Sequence, residues 1–449
     1  MGLLIGELAR VTELVSSGLA GRGGQEVTME ERRRGSLAGI DVHKKMLVAV
    51  VRKDSEGATE YEWRKFGATQ QEIRHLAAWL QSQQVSDVAM ESTAQYWRPV
   101  WMGLEDHFRL LLAHPLLTRA ARGRKSDLRD AKRLADRLWA GDLVSSFIPD
   151  REQREWRQLT RIRLRWRRKI VLVRGQMEGV LEEGGIKLSS VVSDVFGATG
   201  TAILEQLARG VTDPVQLAEQ ARGQIRKYKM EQLREALEGR VGSALQLAIR
   251  HLLEQMKLLE RQIAEINAAL AVAMKGQAVV IHRLCQVPGI DVEAAQELLA
   301  EIGPAAARFD SPEQLASWIG VCPGQQESAG INYSRRSAKG NAYLRRLLTQ
   351  IAWAASRTKR TFFATLHRRL ARKMGSKGAT WAIANRIAKL VWKLLHERVD
   401  YVERGEAPMS VERLRRKCRR LLSMLQQAGV DPKELLLVPG LASVQANRV

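Results

Sequence analysis

Cysteine is scarce. Cys285, Cys322 and Cys418 are the three in 449 residues, and they stand far apart. That spacing excludes a disulfide framework and a thiolate metal site, and suits reduced thiols in a cytoplasmic protein. The eight histidines form no zinc motif. No run of about eighteen apolar residues occurs, so a membrane-spanning helix is not expected. The opening MGLLIGELARVTEL carries Glu7 and Arg10 inside its apolar stretch and lacks a basic leader, so it does not read as a signal peptide. Acids are outnumbered: 49 Asp plus Glu face 72 Lys plus Arg, a formal charge of +23. Such an excess calls for a polyanionic partner, either nucleic acid or an acidic membrane surface. A chain of this length is expected to divide into two or three domains.

Texture along the chain supports that division. Residues 1–36 read as an extension, partly Gly-rich and ending in charged sequence. From Leu37, SLAGIDVHKKMLVAVVRK gives two Val- and Ile-rich runs broken at His43-Lys44-Lys45, and EYEWRKFG alternates like a third strand. QEIRHLAAWLQSQ has helical period; DVAMEST and RLLLAHP read as short strands. SDLRDAKRLADRLWAGD places Leu128, Ala131, Leu134, Ala135 and Leu138 on one helical side. Strands followed by alternating helix and strand predict an α/β domain over 37–148.

A helical and coiled-coil region is expected over 149–277. Arg157, Arg161, Arg165 and Arg168 recur at i, i+4, i+8 and i+11 with no interleaved acid, and Trp156 and Trp166 lie beside them. A solvated face is the ordinary explanation, but an unneutralised stripe with rings for stacking favours a phosphate-tracking face. Leu245, Ile249, Leu252, Met256, Leu259, Ile263, Ile266 and Leu270 alternate steps of four and three, the pattern of a coiled-coil seam or an intramolecular helical hairpin. Over 278–398 a mainly helical domain is predicted. There LCQVPGIDVEAAQELLAEIG has the shape of a helix-hairpin-helix, whose Pro288-Gly289 turn would present backbone N–H groups to a phosphate. Residues 399–449 form a tail with the basic run RLRRKCRR.

The acids carry the chemistry. Asp41 ends the first strand, Glu91 a later strand, and Asp127 and Asp130 stand three apart on a helix. Alone, each has an ordinary explanation as a turn residue or cap. Together they can converge at one sheet edge, where four carboxylates are tolerable only with bound cations. Oxygen ligands suit Mg²⁺ or Mn²⁺ and not zinc, and a pair of such ions can clamp the attacking and leaving oxygens of a phosphodiester. His43 could reach the site, although a surface turn histidine is the expectation.

GIDVHKK, MESTAQYW and KSDLRDAKRLA, in that order, resemble the RuvC-like (RNase H-like) domain of the DEDD-type insertion-sequence transposases, the bridge recombinases. VPGIDVEAAQELLAEIG, FDSPEQLASWIGVCPGQQESAG and KGNAYLRRLLTQIAW resemble the same family's C-terminal transposase domain. The resemblance covers roughly 37–145 and 278–395, separated by a coiled coil as in the family. It implies that Asp41, Glu91, Asp127 and Asp130 bind metal and that Ser328 is the nucleophile. It also implies donor and target DNA as substrates, a noncoding bridge RNA, a tetramer built from dimers, and a prokaryotic, nucleoid-associated setting. Many members carry a further Lys where Ala338 stands; Arg336 and Lys339 are the candidates to replace it.

A serine hydroxyl needs activation at neutral pH. His282 and His367 are far from Ser328 in sequence, so no Ser-His-Asp arrangement is evident. Help would come from the metal cluster or from Arg335, Arg336 and Lys339, which can stabilise phosphorane charge. Two other readings compete with this one. One is a junction-cleaving nuclease that uses only the acids and water; the other is a nucleic-acid-binding protein without catalysis.

Overall fold

A computed structural model describes residues 36–403, apart from 56–57, 92–93, 114–125, 325, 329–330, 335–336 and 338, together with 405, 415–416, 419–420 and 423. At 326–328 and 331–334 it describes the backbone alone. The chain divides into two compact units, Met1–Arg151 and Glu152–Val449.

The first unit holds a six-stranded sheet in the order β3-β2-β1-β4-β5-β6. Its strands are β1 Ser36–Val42, β2 Met46–Ser55, β3 Ala58–Gly67, β4 Val85–Glu91, β5 Arg109–Ala113 and β6 Ser145–Ser146. β1, β2 and β3 are antiparallel neighbours, β1–β4 and β4–β5 are parallel, and β6 returns antiparallel. This mixed sheet is consistent with an RNase H-like fold. Among the described residues, helices α1 (Gln70–Ser82), α2 (Trp97–Leu104) and α3 (Asp127–Ala140) accompany the sheet. Ala38, Ile40 and Val42 alternate onto one face with Ile73, Leu76 and Leu80 of α1 and Val100 and Leu104 of α2. Leu37, Ala89 and Ala113 face the other way, against Leu134 and Leu138 of α3.

Gly39 sets how closely α3 approaches. A Cβ there would lie 2.1 Å from the Ala131 carbonyl oxygen and 2.6 Å from the Ala135 nitrogen, so only glycine admits this packing. Asp136 fixes the helix laterally, accepting from Arg52 Nη1 at 2.9 Å and from the Tyr61 hydroxyl at 2.6 Å. One expectation is corrected: Leu128 is exposed, because it falls at the rim of the buried arc of Ala131, Leu134, Ala135 and Leu138. α2 and β6 give no sequence signal of their own, being eight and two residues long.

The second unit is helical. Its long elements are α4 (Arg151–Glu183) and α9 (Ser243–Ala273), with α5 (Ala198–Ala208), α6 (Pro214–Ala218), α7 (Gly223–Tyr228) and α8 (Met230–Ala236) between them in sequence. α4 and α9 run antiparallel. Trp156 Nε1 donates to the Ala273 carbonyl, Val173 packs with Met256 and Leu259, and Met177 and Leu181 share a core with Ile249 and Leu253. Part of the seam is covered within the chain: Ile249, Met256, Leu259 and Leu270 are buried, and Leu245, Leu252, Ile263 and Ile266 are half-buried. Beyond it come α10 (Ala278–Cys285), α11 (Val292–Ile302), α12 (Pro312–Ile319), the hairpin β7 Gln326–Ser328 and β8 Ile331–Ser334, α13 (Ala342–Arg357) and α14 (Phe362–His396). Among the described residues no single helix is long and apolar enough to cross a membrane.

Candidate functional site

Asp41 stands on β1 two residues beyond Gly39, on the sheet face that α3 covers. Ile40 pairs with Met90 in parallel register, so Glu91, the half-buried last residue of β4, is the strand neighbour of Asp41. Asp127 opens α3, whose N-cap is Ser126; the serine side chain accepts from the Arg129 N–H at 3.3 Å. Asp130 follows in the same turn and is buried, with Arg133 Nη1 at 3.0 Å. Carboxylates in the first helical turn also meet the positive end of the helix dipole.

The geometry favours, for His43, the reading that sequence ranked second. His43 is not a bystander in the turn: its Nε2 lies 3.2 Å from Asp41 Oδ2 and 3.3 Å from Asp127 Oδ1. The ligand atoms of Asp41, His43 and Asp127 all fall within 4.8 Å of one another, a group able to hold a metal ion. Glu91 and Asp130 are not in that closest set. Among the described residues, the closest group of possible donors is two carboxylates and an imidazole. Burial pushes the Asp41 carboxyl above its ordinary range; His43 opposes this, and the Asp127 and Asp130 charges add to it. A divalent cation would remove that repulsion, and hard carboxylate donors with one imidazole fit such an ion.

In the second unit the arginine stripe divides. Arg161 forks onto Glu301 through Nε at 2.8 Å and Nη2 at 2.9 Å, and Arg157 donates to the carbonyls of Ala300 at 2.8 Å and Glu301 at 2.6 Å. Glu301 is 3% exposed and also accepts from Asn341 Nδ2 at 2.9 Å. The acid that neutralises this half of the stripe comes from 140 residues away, which local sequence could not reveal. Trp156 is buried, so the expectation of a stacking surface there is corrected. Arg165 and Arg168 remain exposed.

Gly289 has φ +88°, and a Cβ would meet the Ile351 carbonyl oxygen at 2.7 Å. Packing against α13 therefore accounts for this glycine. Ser328 ends β7, paired with Ile331 across the hairpin. Gly340 closes the base of the segment, since a Cβ there would lie 2.2 Å from the Ile319 carbonyl oxygen. Lys339 is exposed, while Arg335 and Arg336 lie outside the described residues.

Comparison with known proteins places the chain in a class of enzymes that cut and rejoin DNA, the transposases. A DEDD-type transposase family model matches residues 38–185, and that of the IS116/IS110/IS902 transposase family matches 281–367. The chain is 25% identical over 320 residues to a family 20 transposase of Pseudomonas aeruginosa, covering 70% of this chain and 85% of that one. It is 25% identical over 334 residues to the transposase y4qE of Sinorhizobium fredii, covering 71% and 72%. The chain belongs to the IS110 family of transposases.

Proposed function

We propose that this transposase exchanges DNA strands through a phosphoserine ester formed by Ser328, with Asp41, Glu91, Asp127 and Asp130 serving a Mg²⁺ or Mn²⁺ site. The observation that carries the reading is the convergence of ligand atoms of Asp41, His43 and Asp127 within 4.8 Å, with Glu91 on the strand beside Asp41 and Asp130 in the same helical turn as Asp127. A bound cation supplies charge neutralisation at a phosphodiester. The chain's own residues do the rest. Asp41 and Asp127 orient the site from a strand and a helix that Gly39 locks together, and His43 stands between their carboxylates as hydrogen-bond donor or ligand.

The serine step balances as an exchange. Ser328 Oγ bonds to phosphorus, the P–O bond to one strand end breaks, and the hydroxyl proton passes to the released oxygen. The reverse step, with another strand's hydroxyl, restores the diester. No external energy source is needed, because the ester conserves the bond. Water in place of the serine would release the end and leave rejoining uphill. In this reading residues 37–148 supply the acids and 278–398 the nucleophile. A bridge RNA pairs with target and donor DNA, and the assembly is a tetramer built from dimers acting on chromosomal DNA.

The test is a nicked DNA substrate reacted with Mg²⁺ and resolved on a denaturing gel. Wild type gives a protein-linked DNA species and Ser328→Ala does not. An undiminished adduct in Ser328→Ala moves the search to Ser334 and Ser337. Recombination by purified protein and DNA with no RNA removes the bridge-RNA part.

A further inference from the structure

From Ser328 to His396 the chain carries sixteen Lys and Arg and no Asp or Glu. Several of these cations are consumed by the fold. Arg346 pairs with Glu297, Lys389 with Glu313 at 2.7 Å, and Arg345 lies over the Trp381 ring at 5.0 Å. A group on α14 is not consumed. Arg369, Arg372 and Lys373 stand at i, i+3 and i+4, share one face of the helix, and are exposed. Lys377 follows, also exposed, just past Gly375, where the backbone leaves helical geometry at φ 76° and ψ 166°. Among the described residues none of these four cations has an ion-pair or hydrogen-bond partner.

Like charges at this spacing weaken a helix, so the cluster costs helix stability unless an external anion pays for it. Its surroundings say which anion. The approach is open: a Cβ at Gly375 would meet nothing within 4 Å, and Met374 beside it is 52% exposed. The rings near this stretch, Trp353, Phe362, Phe363 and Trp381, are buried or half-buried, so no stacking platform for splayed bases accompanies the charge. Cations without exposed rings suit the regular phosphate array of a double helix, contacted without reading bases.

We propose that the 369–377 segment of α14 is a docking site for the backbone of duplex DNA. The choice of DNA as the polyanion rests on the transposase reading, but neither Ser328 nor a metal enters. The test measures binding of the full-length protein to a labelled duplex of arbitrary sequence, in EDTA, across a NaCl series. Replacing Arg369, Arg372 and Lys373 with Gln and Lys377 with Gln lowers the log–log salt slope by up to about 3.6, at roughly 0.9 per lost contact. The pair Arg372→Gln and Lys373→Gln alone lowers it by up to about 1.8, which keeps the test open should the fourfold variant not fold. An unchanged slope in either folded variant overturns the proposal. A slope that falls with single-stranded RNA but not with duplex DNA also overturns it, assigning the face to RNA. Because EDTA excludes cleavage, absence of a serine adduct would leave this measurement untouched, so the two failures are distinguishable.

Discussion

Both units bury charge, and they do it in opposite ways. In the helical unit, Glu301 meets the fork of Arg161 and the amide of Asn341. Arg163, fully buried, is surrounded by acceptors: Gln296 Oε1 at 2.7 Å, Asn267 Oδ1 at 3.0 Å and the Glu293 carbonyl at 3.0 Å. Burial pulls its guanidinium below the usual range, with Glu293 and Glu297 opposing. Most of these donors meet an acceptor, although Arg163 Nε is buried without a hydrogen-bond partner. At the sheet edge, by contrast, Asp41 faces Asp127 and Asp130, and His43 is shared between two carboxylates. A network of opposite charges and amides ties α4, α11 and α13 together. A cluster of one sign is poor glue and a good seat for a cation.

The largest expected effect would break this contrast outright. Asp41→Asn and Asp127→Asn keep the side-chain shape but remove a ligand charge, and metal-dependent strand cleavage should fall by orders of magnitude while nucleic-acid binding persists. Wild type should also melt higher with Mg²⁺ or Mn²⁺, by about 2.7 kcal/mol at a hundredfold excess over Kd, and the variants should lose that increment. A wild-type melting curve indifferent to both ions would make the acid cluster structural after all.

Next comes the network around Glu301. Glu301→Ala leaves Arg161 facing an emptied site and should cost about 3 kcal/mol in denaturant unfolding. The double change Glu301→Leu with Arg161→Met should recover much of it, because apolar contacts replace both charges. Recovery is the sharper measurement, since a catalytic acid would not be rescued in activity by hydrophobic replacement.

Gly39→Ala sits between the two regimes. Its Cβ collides with helix backbone and not with a flexible side chain, so α3 must move. A loss of about 1–3 kcal/mol is expected, together with weaker metal-dependent stabilisation, because Asp127 and Asp130 travel with the helix. Normal metal response in a destabilised Gly39→Ala protein would mean that the acids do not depend on the docking of α3.

The smallest effect concerns the stripe on α4. Arg165→Gln and Arg168→Gln should leave unfolding nearly unchanged and flatten the salt dependence of RNA binding by roughly 0.7 to 0.9 per contact. Arg157→Gln and Arg161→Gln should do the reverse, lowering stability through Glu301 and the end of α11. Equal salt slopes in both pairs would erase the division of the stripe.

Sequence made the sheet readable because its strands are short, β-branched and punctuated, as at His43-Lys44-Lys45, where the His43 N–H bonds the Met46 carbonyl at 3.0 Å. It made α3 readable through the helical spacing of Ala131, Leu134, Ala135 and Leu138, while the cap proves to be Ser126 and not Asp127. It did not show His43 as a partner of Asp41 and Asp127, since a histidine two residues beyond an acid is common in turns. The acid-free stretch from Ser328 to His396 was a signal open to sequence.

What sequence determined by itself was local and periodic: which segments are strands or helices, where the acids lie along them, and the family that their order resembles. Tertiary structure decided which charges meet. Arg161 and Glu301 are 140 residues apart and Arg163 and Gln296 are 133 apart. Pairing over such distances follows from how α4 packs on α11, not from any spacing along the chain. The same arginine repeat therefore yields two half-buried residues held by Glu301 and the end of α11 and two left exposed. Electrostatic energy depends on distance through space, and only the fold supplies that distance.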